Sequence, residues 1–392
     1  MIKTIVITII CLIIISMAGC REIRQVNEDG FITVDVTKNY LQKKDLIIQD
    51  FMEVEYVILE TKEGFLTQGV VEDVGNELIL VRNNNRINDG NVFIFDRKGK
   101  ALRIINRKGQ GSDEYIRIHR IILDEINGEM YVNDIVLSKI IVYDLYGNFK
   151  RSFRTNEENE KIWSYYTDIF NYDNDNLICY DILKEEKSFF LISKKDGSIT
   201  KEIKIPYKKA KFLRQISGDN RVYPAPSPRP ITPYSDNWIL LEFSSDTVYT
   251  FLPDFTLHPF IIRKPSVNAM NPEVMLLLRF MSDRYYFIET IKNEYNFITE
   301  SGFPRTSFLY DKQEKKFFGY RIYNGDYSNR IELNLGNFKA LNQEIESWYR
   351  IDAFELIESY ENNELKDGTL KEIASNLDAE DNPVIMLVKH KK

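Results

Sequence analysis

A strand–turn–strand unit recurs along this chain, and its spacing constrains the fold more than any other feature. Val92-Phe93-Ile94-Phe95-Asp96 leads through Gly99 to Ala101-Leu102-Arg103-Ile104-Ile105, and Ile140-Ile141-Val142-Tyr143-Asp144 leads through Gly147 to Phe149. The unit returns at Phe189–Ile192, Val248–Phe251 and Phe308–Asp311. Asp and Gly supply the turns, Asp by local hydrogen bonding and Gly by tolerating positive φ. Aligned on Phe95, Tyr143, Ile192, Phe251 and Tyr310, the gaps are 48, 49, 59 and 59 residues. Short strands with a period near 50 are the mark of propeller blades rather than of helical solenoids.

A further strand precedes each of the first four units: Glu77–Val81, Glu129–Val132, Asn176–Tyr180 and Trp238–Leu241. These strands are apolar at successive positions. A sheet with one wet face would alternate, whereas stacked blades cover both faces. A β-sandwich also has many short strands, but the repeat length favours the ring. The expected fold is all-β, a six-bladed β-propeller with short helical insertions. Five hairpins are visible, and the sixth blade should join the chain ends, the strand around Val57 with Pro383–Val388.

Three segments interrupt the repeat. Pro224, Pro226, Pro228, Pro230 and Pro233 predict a stiff loop, since each Pro fixes φ and removes a donor. Asn271-Pro272-Glu273 before Val274, Leu276, Leu277, Leu278 and Phe280 predicts a short helix. Leu370, Ile373 and Leu377 have helical spacing before the final strand.

The N-terminus reads as an export signal. Lys3 precedes an uncharged apolar run from Ile5 to Ile15, too short to span a bilayer, and then Ser16-Met17-Ala18-Gly19. Ala18-Gly19-Cys20 resembles the lipobox of bacterial lipoproteins, with Met17 where Leu is usual. The resemblance implies cleavage after Gly19 and acylation of Cys20, and several acyl chains on one residue give stable membrane anchoring. The alternative is an ordinary cleaved signal with Cys20 incidental. Arg21 stands where Asp would resemble an inner-membrane retention signal, so the outer membrane is expected, facing the periplasm or the cell surface. The expected organisation is a signal at 1–19, a tether and N-terminal extension at 20–50, and the propeller at 51–392. With Cys11 in the signal and Cys20 acylated, Cys179 remains alone among apolar neighbours, which predicts a buried thiol and no internal disulfide.

Within the propeller, Gly109-Gln110-Gly111-Ser112-Asp113-Glu114-Tyr115 resembles the Gly-x-Gly-Pro-x-Glu-Tyr motif of six-bladed β-propeller lipoproteins of Gram-negative bacteria, within the NHL-like propeller group. Ser112 replaces the usual Pro. Val57-Ile58-Leu59-Glu60-Thr61, Ser245-Asp246-Thr247-Val248-Tyr249 and Asp381-Asn382-Pro383-Val384-Ile385 match other motifs of that family in order. The likeness spans about residues 55–392 and implies fold and envelope location, not an activity.

The chemistry of a site is less legible. Lys+Arg 52 against Asp+Glu 59 gives −7, which argues against nucleic acid as a partner. Three His and three Cys disfavour a metal site, and no cofactor is expected. Gly109-Gln110-Gly111 lacks the Lys-Ser/Thr ending of a phosphate loop, and the favoured reading is a tight loop in which Glu114 or Tyr115 ties one blade to the next. Asp173-Asn174-Asp175 fails the calcium-loop pattern at its sixth and twelfth positions, Ile178 and Lys184. Lys201, Lys204, Lys208, Lys209, Lys211 and Arg214 form a basic run, read first as a solvated surface and otherwise as a meeting place for an acidic glycan or lipid headgroups.

The expected function is capture of a ligand or protein partner, a glycan or an envelope protein, by loops around 107–115 and 221–236. Gln110, Glu114, Tyr115, Tyr223, Tyr234 and Trp238 are the candidate contacts, with Tyr165 and Tyr166 as further stacking residues. The alternative is a polysaccharide-degrading or modifying enzyme with a carboxylate pair in the channel, about 5–10 Å apart.

Overall fold

The computed structural model describes residues 30–84, 89–155, 166–182, 188–224, 229–335 and 340–391. The expected signal and Cys20, together with Tyr165, Lys184, Pro226 and Pro228, lie outside them. Six sheets follow one another around an axis. Blades 1 to 3 are four-stranded antiparallel meanders: blade 1 holds Val70–Val74, Leu78–Arg82, Asn91–Asp96 and Ala101–Asn106, blade 2 runs from Ile118–Asp124 to Phe149–Arg154, and blade 3 from Tyr166–Asn171 to Ile199–Ile203. Blade 4 (Ile231–Tyr234 to Leu257–Lys264) and blade 5 (Val274–Met281 to Lys316–Tyr323) each gain a fifth strand. The residues aligned in the repeat, Phe95 to Tyr310, all lie on third strands.

The apolar strands have the cause expected of them. In blade 1, Ile79, Val81, Phe93 and Phe95 face blade 6, whereas Leu80, Val92 and Ile94 face blade 2. Six apolar clusters among the described residues fill the six spaces between neighbouring blades. Both faces of each blade are thus withdrawn from water, at roughly 25 cal/mol per Å² of apolar surface. Cys179 is buried between blades 2 and 3, and burial pushes its thiol pKa well up.

Blade 6 joins the chain ends. Glu53–Ile58 pairs antiparallel with Val384–Lys389, Val57 opposite Ile385, and Ile345–Ile351 completes the sheet. It has three strands, and its innermost one is reversed. Asn342 Nδ2 donates to Val74 O at the end of blade 1's innermost strand (2.7 Å), and Arg350 Nη1 to Gln68 O near its start (3.1 Å). Between Ile351 and Val384 sit helices α2 (Ala353–Glu361) and α3 (Thr369–Ala374); α1 (Ile48–Phe51) precedes Glu53. Leu370 and Ile373 pack from α3 as their spacing predicts, with Leu377 just beyond it.

Residues 32–47, placed before the ring in the sequence reading, belt two blades. Ile32–Asp35 pairs parallel to the outer strand of blade 4 and Lys43–Ile47 to that of blade 5, which covers two sheet edges. Among the described residues no helix is long and apolar enough to cross a membrane.

Two expectations are corrected. Val274–Met281 is the innermost strand of blade 5, not a helix. Both its faces are buried, so all its positions except Arg279 are apolar, and a run of this kind satisfies helical spacing as readily as strand spacing. The proline segment is not all loop: Val222–Pro224 pairs with Arg214–Ile216, and Pro233 lies in the innermost strand of blade 4. That strand pairs on one side only, so a missing N–H is tolerated there.

Candidate functional site

The innermost strands of blades 1 to 5 begin at one end of the ring, the entry face, and finish at the other, the exit face. Ile121 N donates to Glu72 Oε2 (3.0 Å) and Leu123 N to Asp73 Oδ2 (2.8 Å), so neighbouring strands advance together. At the exit face a cleft of about 660 Å³ opens on the axis. Asp73–Asn76, Arg120–Leu123, Ile169–Asn171, Trp238 and Leu341–Ile345 line it, from blades 1, 2, 3, 4 and 6. The reversed strand of blade 6 puts the turn before it, rather than a further strand, against the axis.

The wall is held by bonds between blades. The Glu125 carboxylate accepts from the backbone N–H groups of Asn76, Glu77 and Leu78 at 2.7, 3.0 and 2.8 Å. A Cβ on Gly75 would stand 2.2 Å from that carboxylate, so a larger residue there would push Glu125 off these amides. Gln343 Nε2 reaches from blade 6 to Asn237 O of blade 4, 3.1 Å. Asp73 accepts from Leu123 N and Val74 N and faces the charge of Arg120, yet burial outweighs both and lifts its pKa to about 6.

Several buried polar atoms around the axis have no hydrogen-bond partner among the described residues: Arg120 Nε, Arg229 Nη2, Gln343 Oε1 and Glu346 Oε2. The Arg120 guanidinium lies over the Phe170 ring at 4.7 Å. Arg229 Nη1 donates to Arg279 O (2.5 Å), and burial pulls its pKa down to about 10 against the field of Glu346. Glu346 Oε1 accepts from Met281 N at 3.0 Å, while Oε2 stands 3.4 Å from His390 Nε2. Buried polar groups normally find partners, and those that do not mark places where water or a ligand completes the set.

The residues singled out from sequence fall at both ends of the ring. Gln110, Glu114 and Tyr115 lie on the entry-face connection between blades 1 and 2. Tyr115 is fully buried; its hydroxyl donates to Gly90 O (2.6 Å) and accepts from Arg107 N (3.0 Å). Glu114 accepts from Gly111 N at 2.8 Å, and a Cβ on Gly109 would meet that carboxylate at 1.9 Å. Tyr223 is also at the entry face, its ring 4.7 Å from that of Tyr295. Tyr234 and Trp238 flank a turn at the exit face. Trp238 is 6% exposed and packs on Phe170 and Tyr172. Tyr234 leans on Tyr286 and His390. Tyr166 is buried beside Phe190. Trp238 alone of these borders the cleft. Arg120, Gln343 and Asp73 were not anticipated: nothing local in sequence distinguishes a charge on an innermost strand from one on an outer strand.

The ring, its terminal closure and its axial cleft define a six-bladed β-propeller. Residues 31–389 match the family described as a domain of unknown function, DUF4934, and the chain belongs to that family. No curated protein is significantly similar to it. Among solved structures, one described as a candidate exported protein of Bacteroides fragilis NCTC 9343 superposes with a TM-score of 0.56 at 15% identity, over 89% of this chain and 99% of that one. A member of the DUF4221 family from Bacteroides vulgatus ATCC 8482 follows, with a TM-score of 0.45 at 11% identity over 87% and 99% of the two chains. The first likeness shows the fold.

Proposed function

We infer that this is an exported, lipid-anchored propeller of the cell envelope, NHL-like in type, that captures a polar ligand of glycan character in its exit-face cleft. The observation carrying this reading is the set of unpaired polar atoms around the axis beside the aromatic wall of Phe170 and Trp238. Hydroxyl-rich ligands supply donors and acceptors together, and sugar faces pack on aromatic surfaces. Export and anchoring rest on the apolar N-terminus and Ala18-Gly19-Cys20, and the outer membrane on Arg21 after the Cys. A Cys20→Ala variant is expected in the soluble fraction; retention in membranes would count against acylation.

The ligand reading is tested by binding of the intact lipoprotein to an array of neutral and acidic oligosaccharides. Arg120→Ala and Gln343→Ala should each weaken the best binder at least tenfold. Unchanged binding in both variants, or no binder on the array, would overturn it.

A second reading, hydrolysis of a polysaccharide, is supported by Asp73, a cleft carboxyl with a pKa near 6 that could serve as a general acid. Glu344 also lines the cleft, whereas Glu125 is engaged by three amides. Release of reducing ends that Asp73→Asn abolishes would favour this reading over binding alone.

A further inference from the structure

Two small hairpins stand on the entry face, outside the blades. Arg214–Ile216 pairs with Val222–Pro224 in the connection from blade 3 to blade 4, and Tyr295–Asn296 pairs with Ser301–Gly302 in blade 5. They brace each other. The Tyr223 ring contacts Tyr295 at 4.7 Å and Phe297 at 5.4 Å, and Gln215 Nε2 donates to Asn293 O at 2.6 Å. This aromatic base holds apolar side chains out into solvent: Ile298 is 94% exposed, Ile216 and Val222 52%, and Phe297 43%.

The flank is basic. Lys208, Lys209 and Arg214 are exposed and have no acidic partner among the described residues. Lys211 is engaged by Glu273 at 2.6 Å and Arg221 by Asp219 at 2.9 Å. Projecting aliphatic tips beside free cations suit a lipid surface, which takes apolar groups below its headgroups and cations at them. A protein partner would ordinarily meet a flatter or concave patch with a buried centre.

We propose that these hairpins dock the entry face onto a bilayer bearing anionic headgroups, with Ile216, Val222, Phe297 and Ile298 entering the interface and Lys208, Lys209 and Arg214 meeting phosphates. The exit-face cleft then opens toward the aqueous side. The docking does not depend on what the cleft binds.

Full-length protein reconstituted into vesicles of phosphatidylethanolamine and phosphatidylglycerol, 3:1, provides the test. Single substitutions Ile298→Cys, Val222→Cys and Ile126→Cys carry an environment-sensitive fluorophore; Ile126 is 81% exposed on the exit face, and the buried Cys179 should not label. Blue-shifted emission quenched by brominated lipid is expected at 298 and 222 and not at 126. The triple charge reversal Lys208→Glu, Lys209→Glu and Arg214→Glu should at least halve the quenching. Water-like emission at 298 and 222, equal quenching at 126, or quenching untouched by the charge reversal would each overturn the proposal. Glycan binding by the same samples reports the cleft separately, so failure of one reading leaves the other measurable.

Discussion

Asn382 shows how one side chain can join two ends of a chain. Its Nδ2 donates to Glu60 O (3.0 Å) and Phe65 O (2.6 Å), and its Oδ1 accepts from Thr67 N (2.8 Å), with the Asn382 side chain itself buried. Asn382→Ala strands three backbone groups, and at about 1 kcal/mol or more per unmet group it should lower stability by roughly 2–4 kcal/mol, read by urea unfolding. Asp73 behaves differently. Its folded pKa of about 6 lies above the carboxylate value expected when unfolded, so the protonated form favours folding. Stability from this group is full below about pH 4 and declines as pH rises through 6, by on the order of 3 kcal/mol. The stability difference between Asp73→Asn and the wild-type protein should therefore grow across that window, in favour of the variant, when unfolding is followed from pH 4 to 6.5. A constant difference would mean the carboxyl is better solvated than its surroundings indicate. Asn382 was legible, as part of a family-like Asn-Pro-Val strand, whereas Asp73 was not: it is one of 59 acids, and only the ring places it on the axis.

Between elements, the bonds that matter most cross from blade to blade. Lys194, in the last turn of blade 3, places its Nζ 2.7 Å from Asp124 Oδ2 at the end of blade 2's innermost strand, and both are almost fully buried. Removing one partner leaves an uncompensated buried charge, so Lys194→Ala should cost about 3–5 kcal/mol. Replacing both, as Lys194→Met with Asp124→Leu, should recover much of that loss in thermal unfolding, because the penalty belongs to the orphaned charge. Third strands are legible because they carry apolar residues that lead into a turn, through a terminal Asp in blades 1, 2 and 5. Innermost strands were harder: Val70–Val74 and Tyr166–Asn171 mix charge with apolar residues because one edge faces the axis. Helix α2 also escaped, though Ala353, Leu356 and Tyr360 have helical spacing, since the exposed Phe354 blurs its face.

For the whole molecule, the repeat and the complementary chain ends were enough to reach six blades and their closure. What they could not supply is which loops share a face. Residues 107–115 and the turn between Tyr234 and Asn237 both follow strands, yet successive turns alternate between the two ends of the ring. Ring closure itself is testable. A chain ending before Val384 would lose the middle strand of blade 6, exposing Glu53–Ile58 on one side and Ile345–Ile351 on the other. Such a chain should show a broadened, multistep thermal transition and rapid proteolysis near residue 58, where the intact protein unfolds in a single step.

The pairing of Val57 with Ile385 also sets a timetable. The first strand of blade 6, Glu53–Ile58, leaves the ribosome more than 300 residues ahead of its partner. Throughout that interval Glu53–Ile58 is an unsatisfied edge with apolar side chains, the kind of segment that pairs with the wrong neighbour. Blades 1 to 5 can form as local meanders during this time, but the last joint waits for Val384–Lys389. The ring therefore reaches its finished shape only after Val384–Lys389 has arrived, and whatever shields the waiting strand until then governs how much of the protein survives.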